Sequence, residues 1–220
     1  MYDGRVYLDL VTGASERLRS VEHELNRINV FPVADGDTGT NLRTTLELVV
    51  AAIDPPPFDT PIGEIARQVA RAAVMGARGN SGVMVAQVFQ GMAQVFGAWH
   101  TCSAADFAVA LSGASQLLDR TLADPVEGTL LTAARWAADA ALVAPADDLW
   151  LVLDYATRAA HSAAEASPAS LPILRRHGVM DAGALGMYHL LWGMRERAAM
   201  YGGLPRVALD PLQAQYATDA

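Results

Sequence analysis

The chain has 220 residues and a mass of 23.3 kDa, with 52% apolar and 18% charged residues. That balance supports a buried core and excludes disorder as the default state. All 16 basic residues are arginine, which removes any chemistry that turns on a lysine: P-loop phosphate binding, the protein-kinase strand lysine and Schiff bases.

Met1-Tyr2-Asp3-Gly4 begins no charged leader with an apolar run behind it, which predicts a cytoplasmic protein. From there the pattern is helical: alanine-rich stretches of helix length separated by short Gly, Pro, Asp or Asn clusters. The first helix is expected over Val6 to Arg27. The second covers Thr40 to Ile53 and stops at Pro55-Pro56-Pro57. The third spans Ile62 to Gly76, with Ile65, Val69 and Ala73 at helical spacing, and the fourth Gly82 to Trp99. Ser103 caps a fifth helix that ends at Leu122. The sixth begins after Pro125 and ends at Val143, the seventh runs from Asp147 to Glu165, and the eighth from Gly183 to Tyr201. A short turn or helix at Leu171 to Arg176 joins the last two. The only strand candidate is Val30-Phe31-Pro32-Val33, and its proline weakens it. Leu204 to Ala220 lacks periodicity and reads as a surface tail, which leaves residues 1–203 as one domain. Apolar runs such as Leu48 to Ile53 are far shorter than the about 20 residues of a bilayer span. Cys102 is the only cysteine, so no internal disulfide and no cysteine zinc site can form. The net charge of −8 and singly scattered arginines, Arg175-Arg176 apart, argue against a nucleic-acid partner.

The informative regularity lies in the loops. The unusual ones precede the second, fourth, sixth and eighth helices: Asp35-Gly36-Asp37-Thr38-Gly39-Thr40-Asn41, Gly79-Asn80-Ser81-Gly82, Asp124-Pro125-Val126-Glu127-Gly128-Thr129 and Asp181-Ala182-Gly183. In an up-and-down arrangement alternate helices begin at the same end, so these loops should gather on one rim. Helix N-termini gathered there, with free N–H groups and positive dipole ends, make an anion site.

Each motif also has a plainer reading. Asp35 and Asp37 can share a hard cation with phosphate oxygens, or cap the second helix and make a turn. An EF-hand is disfavoured because Thr40 and Leu46 occupy its glycine and glutamate positions. An aspartyl nucleophile on a parallel sheet lacks the strands. Ser81 and the amides after it could hold a phosphate with Arg78 beside them, or Asn80 or Ser81 could cap the fourth helix. Thr129 and Asp181 taken singly are a helix residue and a cap. Met84, Met92, Trp136, Met187 and Trp192 read as packing, and His189 as a core or rim residue. The histidines show no metal spacing.

Taken together, the run Asn29 to Asn41 closely resembles the signature of the ATP-binding domain of bacterial fatty acid kinase, itself similar to the DhaL subunit of dihydroxyacetone kinase. Ala77 to Val83, Pro125 to Thr129 and Val179 to Gly186 agree in order and spacing. The resemblance covers roughly Gly4 to Tyr201. It implies an all-α antiparallel barrel of eight helices with the nucleotide, ATP or ADP, at one rim. It further implies a pair of Mg²⁺ ions on Asp35 and Asp37, which are the catalytic and metal residues. Asn29 stands where the DhaL group has a further aspartate, so it is a third candidate ligand. Thr38, Gly39, Thr40, Asn41, Ser81 and Gly82 match phosphate or nucleotide contacts, and Gly128, Thr129, Asp181 and Gly183 would line the nucleoside side. The implied reaction is phosphoryl transfer without a phosphoenzyme, to a fatty acid on a DegV-like carrier. The alternatives are dihydroxyacetone on a partner subunit, or a nucleotide-binding module without catalysis of its own. No membrane segment is implied, and a homodimer is allowed. Fatty acid kinase subunits continue past this domain, so nucleotide binding is the firmer expectation for this chain alone.

Overall fold

The computed structural model describes residues 1–202; the expected tail lies outside the described residues. The helices are α1 (Gly4–Arg27), α2 (Thr38–Ala51), α3 (Ile62–Gly76), α4 (Gly79–Phe96), α5 (Ala104–Thr121), α6 (Leu130–Val143), α7 (Leu149–Ser170), α8 (Pro172–His177) and α9 (Ala182–Ala198), followed by one 3₁₀ turn at Ala199–Tyr201. The expected eighth helix is therefore α9, and the short connector is α8. Val30 to Val33 is not a strand. Among the described residues the only β pairing is an isolated bridge between Tyr2 and Cys102.

Each long helix packs on the next in the chain, α7 packs on α9, and α9 returns to α1. The result is a closed ring of eight antiparallel helices, with α8 held against α7. Where the ring closes, α1 and α9 meet backbone on backbone at Gly13 and Gly193. A Cβ built on Gly193 would lie 2.6 Å from the Gly13 carbonyl carbon and 2.7 Å from Ala14 Cα. Leu, Val, Phe and Ala side chains from every long helix fill the interior, among them Leu10, Leu18, Leu42, Val69, Phe89, Phe107, Leu131, Leu153 and Leu191. α9 is buried along nearly all of its faces, so its sequence has no polar stripe to reveal.

Several boundaries differ from those expected, each for a local reason. Asp3 caps α1 through the Val6 amide at 3.0 Å, which starts the helix at Gly4. α4 begins at Gly79 because that residue takes φ +57°, a conformation open to glycine. α6 begins only at Leu130, because Gly128 at φ +82° first turns the chain. Ser103 does form a capping box with Asp106, as expected. α7 runs past Glu165 and through Pro168. A proline inside a helix strips the carbonyl four residues back of its donor, and the Ser167 hydroxyl fills that gap by donating to Ala164 O at 2.6 Å. Trp136 is 41% exposed on the outer face and is not core, whereas Met92, Met187 and Trp192 are buried.

The glycine contact gives the first prediction. Gly193→Ala should raise intrinsic helix propensity by up to about 1 kcal/mol. Because backbone cannot yield as a side-chain tip does, it should nevertheless lower stability by about 1–3 kcal/mol. Thermal and urea unfolding of the variant measure the sign.

Candidate functional site

The loops before α2, α4, α6 and α9 converge on one cavity of about 530 Å³, within the size range of small-molecule sites. Its wall includes Asn29, Asp35, Asp37, Thr38, Asn41, Ser81, Thr129, Asp181 and Gly183. The gathering of alternate loops on one rim is thus how the helices pack. Gly39, Thr40, Gly82 and Gly128 do not line the cavity and instead shape the rim from behind. Gly39 lies against Glu22 O, and Thr40 turns its hydroxyl away to Glu22 at 2.8 Å, helping with Arg43 to hold that carboxyl below its ordinary range. Gly82 packs on Thr45 Oγ1, and Gly128 on Ser167 O and Ser170. Arg78 is exposed at the N-cap position of α4 and lies outside the wall.

In three of the four helices that begin here, α2, α4 and α6, the N-cap residue makes no side-chain cap, although the Thr38 and Thr40 amides of α2 donate to Asn29 and Asn26, each at 3.1 Å. Asp37 occupies the cap position of α2 without using its carboxylate as a cap. Neither Asp35 nor Asp37 enters a hydrogen bond or ion pair through its carboxylate among the described residues. Asp35 is exposed and Asp37 half-buried. Hard oxygen donors left unengaged beside uncapped helix ends can hold a divalent cation and polyphosphate together. The wall contains four carboxylic side chains, Asp35, Asp37, Asp124 and Asp181, and no arginine. Among the described residues no cluster of three or more His, Cys, Asp or Glu forms a metal cage.

Asn29 is buried, and its amide is spent on the loop. Its Oδ1 accepts from the Asp37 and Thr38 amides, each at 3.1 Å, and its Nδ2 donates to Val33 O at 3.1 Å and Phe31 O at 3.4 Å. It therefore shapes the Asp35–Asp37 turn. The other loops are pinned in a similar way by buried hydroxyls. Thr45 Oγ1 accepts from Arg78 N at 3.1 Å, Thr132 Oγ1 from Gly128 N at 2.8 Å, and Ser167 Oγ from Asp181 N at 2.9 Å. Thr132 also donates to Glu127, and that bond, with Arg135, holds the Glu127 carboxyl below its ordinary range.

The family model of the DAK2 domain matches residues 32–196. The chain belongs to the DAK2 domain family. It is 34% identical over 187 residues to an uncharacterized protein of Staphylococcus saprophyticus and 33% identical over 188 residues to protein YloV of Bacillus subtilis, covering 84% of this chain in both. It spans 34% of the length of each of these relatives. The fold is shared with the dihydroxyacetone kinase of C. freundii: TM-score 0.62 at 19% identity, over 89% of this chain and 35% of that one. An all-α fold of the DhaL type is therefore established.

Within this DAK2 domain the apolar part of the wall escaped sequence reasoning. Phe31, Val33, Val83, Met84, Leu122, Val126 and Leu130 line the cavity. Met84, read as packing, does pack partly buried against the core and also lines the cavity. Its position three residues after Ser81, in the second turn of α4, was the available signal for the cavity contact. Asp181 both lines the cavity and caps α9, with Oδ1 accepting from Ala184 N at 2.7 Å. Burial pushes its carboxyl up from 3.8 to about 6, against the opposing pull of the Ala184 and Gly183 amides.

A raised carboxyl binds its proton more tightly in the folded state, so its contribution is full below about pH 4 and is lost as pH rises through about 6. Asp181→Asn keeps an acceptor for Ala184 and removes that titration. The wild type should therefore lose on the order of 3 kcal/mol relative to the variant between those pH values. Unfolding curves of both proteins across that range measure the difference.

Proposed function

We propose that this domain carries out ATP- and Mg²⁺-dependent phosphoryl transfer to a small acceptor presented by a partner protein. The observation that carries this reading is the composition of the cavity wall: four carboxylic side chains, no arginine and the uncapped N-termini of α4 and α6. A polyphosphate entering an acidic pocket with no basic side chain must bring cations with it. Asp35 and Asp37 would hold Mg²⁺, as the unengaged oxygen donors there. Bound Mg²⁺ supplies charge neutralisation at the phosphates. The residues of the chain contribute position and dipoles. The free first-turn amides of α4 and α6 would face the phosphate oxygens, while α2 has its Thr38 and Thr40 amides held by Asn29 and Asn26, and the apolar wall around Met84, Leu122 and Leu130 suits a base. The acceptor oxygen attacks the γ-phosphorus, the bond to the bridging oxygen breaks, and its electron pair leaves on ADP.

The acceptor we favour is a fatty acid carboxylate on a DegV-like carrier, giving an acyl phosphate. The motif run from Asn29 to Asn41 supports this choice, with asparagine at Asn29 where the DhaL group has aspartate. Because the chain spans about a third of its curated relatives, the complete reaction belongs to the whole assembly. ATP consumption and acyl phosphate formation should require this chain, a DegV-like carrier and fatty acid together. Turnover with dihydroxyacetone on a partner subunit would move the acceptor to the DhaL type. Nucleotide binding without transfer to either would make the domain a regulatory module. Asp35→Asn combined with Asp37→Asn should abolish Mg²⁺-dependent ATP binding in calorimetry, and unchanged affinity would sink the metal assignment.

A further inference from the structure

Ser167 and Pro168 sit in the last turn of α7, behind the cavity and outside its lining. Pro168 has no N–H to give to Ala164 O, the carbonyl one turn back. The Ser167 hydroxyl donates to that carbonyl at 2.6 Å. With its proton committed there, the oxygen offers a lone pair to the Asp181 amide at 2.9 Å. All of this is dry, because Ser167 has 0% exposure and Asp181 4%. The same turn is the floor for the loop before α6. A Cβ on Gly128 would lie 3.2 Å from Ser167 O and 2.8 Å from Ser170 Cβ. Gly183 in turn lies against the start of α6, 3.4 Å from Leu130 Cβ by the same construction. The Asp181 loop therefore rests on the Ser167 hydroxyl, which answers the carbonyl that Pro168 leaves without a donor, while the Gly128 turn packs on the backbone of the same turn and on Ser170.

We infer that Ser167 is a positioning residue for the nucleotide cavity, with Pro168 orienting its hydroxyl so that the Asp181 loop is held in binding geometry. The inference rests on the nucleotide reading above and adds a residue pair that never touches the ligand. Its signature is a separation of stability from affinity. In an ordinary helix, removing an interior proline restores a main-chain hydrogen bond and stabilises. Here Pro168→Ala also gives Ala164 O a main-chain donor and frees the Ser167 hydroxyl to rotate away from its bond. A merely structural role for this turn would raise stability and leave affinity alone, whereas a positioning role lowers affinity while stability rises or holds.

The experiment is titration calorimetry of Mg²⁺·ADP into the wild type, Ser167→Ala and Pro168→Ala, with thermal unfolding and amide hydrogen exchange on the same proteins. Both variants should bind Mg²⁺·ADP about tenfold more weakly, the scale of one buried hydrogen bond. Pro168→Ala should unfold at the wild-type temperature or above it. Asp181 N–H should exchange faster in both variants. Wild-type affinity in Pro168→Ala, or Asp181 exchange unchanged in both variants, overturns the inference. If the wild type itself binds no Mg²⁺·ADP, the nucleotide reading falls and this inference with it; if the wild type binds and Pro168→Ala binds equally well, only the positioning role falls.

Discussion

The closure of α9 onto α1 is the contact on which the rest of the molecule depends. At Gly13 and Gly193 the two helices approach so closely that no side chain fits between them. Short connections make each long helix antiparallel to its neighbours, so the starts of α2, α4, α6 and α9 share one end, and the seam joins the last of these helices to the first in one closed ring. The seam also places α9 where nearly every face is covered. Polar groups trapped there need internal partners. Arg195 pairs with Asp154 at 3.0 Å, and Arg17 donates to His189 Nδ1 at 3.2 Å. Burial first, then the nearby Arg17 charge, pushes His189 down to about 3 and keeps it neutral.

The absence of lysine acquires a positive meaning at the rim. The arginines that form ion pairs do so away from the cavity, as in Arg19–Glu47, Arg43–Glu22, Arg135–Glu127 and Arg197–Asp9. None lines the cavity wall. Positive potential at the site comes from fixed helix ends, and on the proposed reading from cations that arrive with the nucleotide. A helix dipole needs no side-chain ordering when a ligand binds. It can only be aimed by holding the loop in front of it, which is the work of Asn29, Thr45, Thr132 and Ser167.

The long helices were legible in the sequence because their apolar spacing, proline stops and caps such as Ser103 are local properties. The grouping of loops was legible as well, since alternation follows from short connections and needs no knowledge of side-chain contacts. What stayed hidden was long-range or compensated. Pro168 reads as a helix end unless Ser167 is known to bond Ala164. Met84 reads as core because its apolar character does not say whether it meets protein or a cavity. Thr45 and Thr132 are ordinary helix residues until the loop amide that each accepts has folded onto them. Asn29 drew attention as a candidate ligand, and its use for four loop hydrogen bonds follows only from the turn that it encloses.

The division of the wall into a polar and an apolar part bears on where the acceptor must come from. The unengaged Asp35 and Asp37 lie with the loop before α2, and Leu122, Val126 and Leu130 lie with the loop before α6. A nucleotide laid across this wall, phosphates on the first part and base on the second, would occupy much of a 530 Å³ cavity. Little room would remain inside for an acceptor with an acyl chain. Val33 and Val83 line the same cavity yet are 62% and 47% exposed, so they form an uncovered apolar lip. On the proposed reading, the acceptor is therefore delivered from outside the barrel by a protein that covers that lip. On that reading the domain contributes one half of a reaction site and the partner the other.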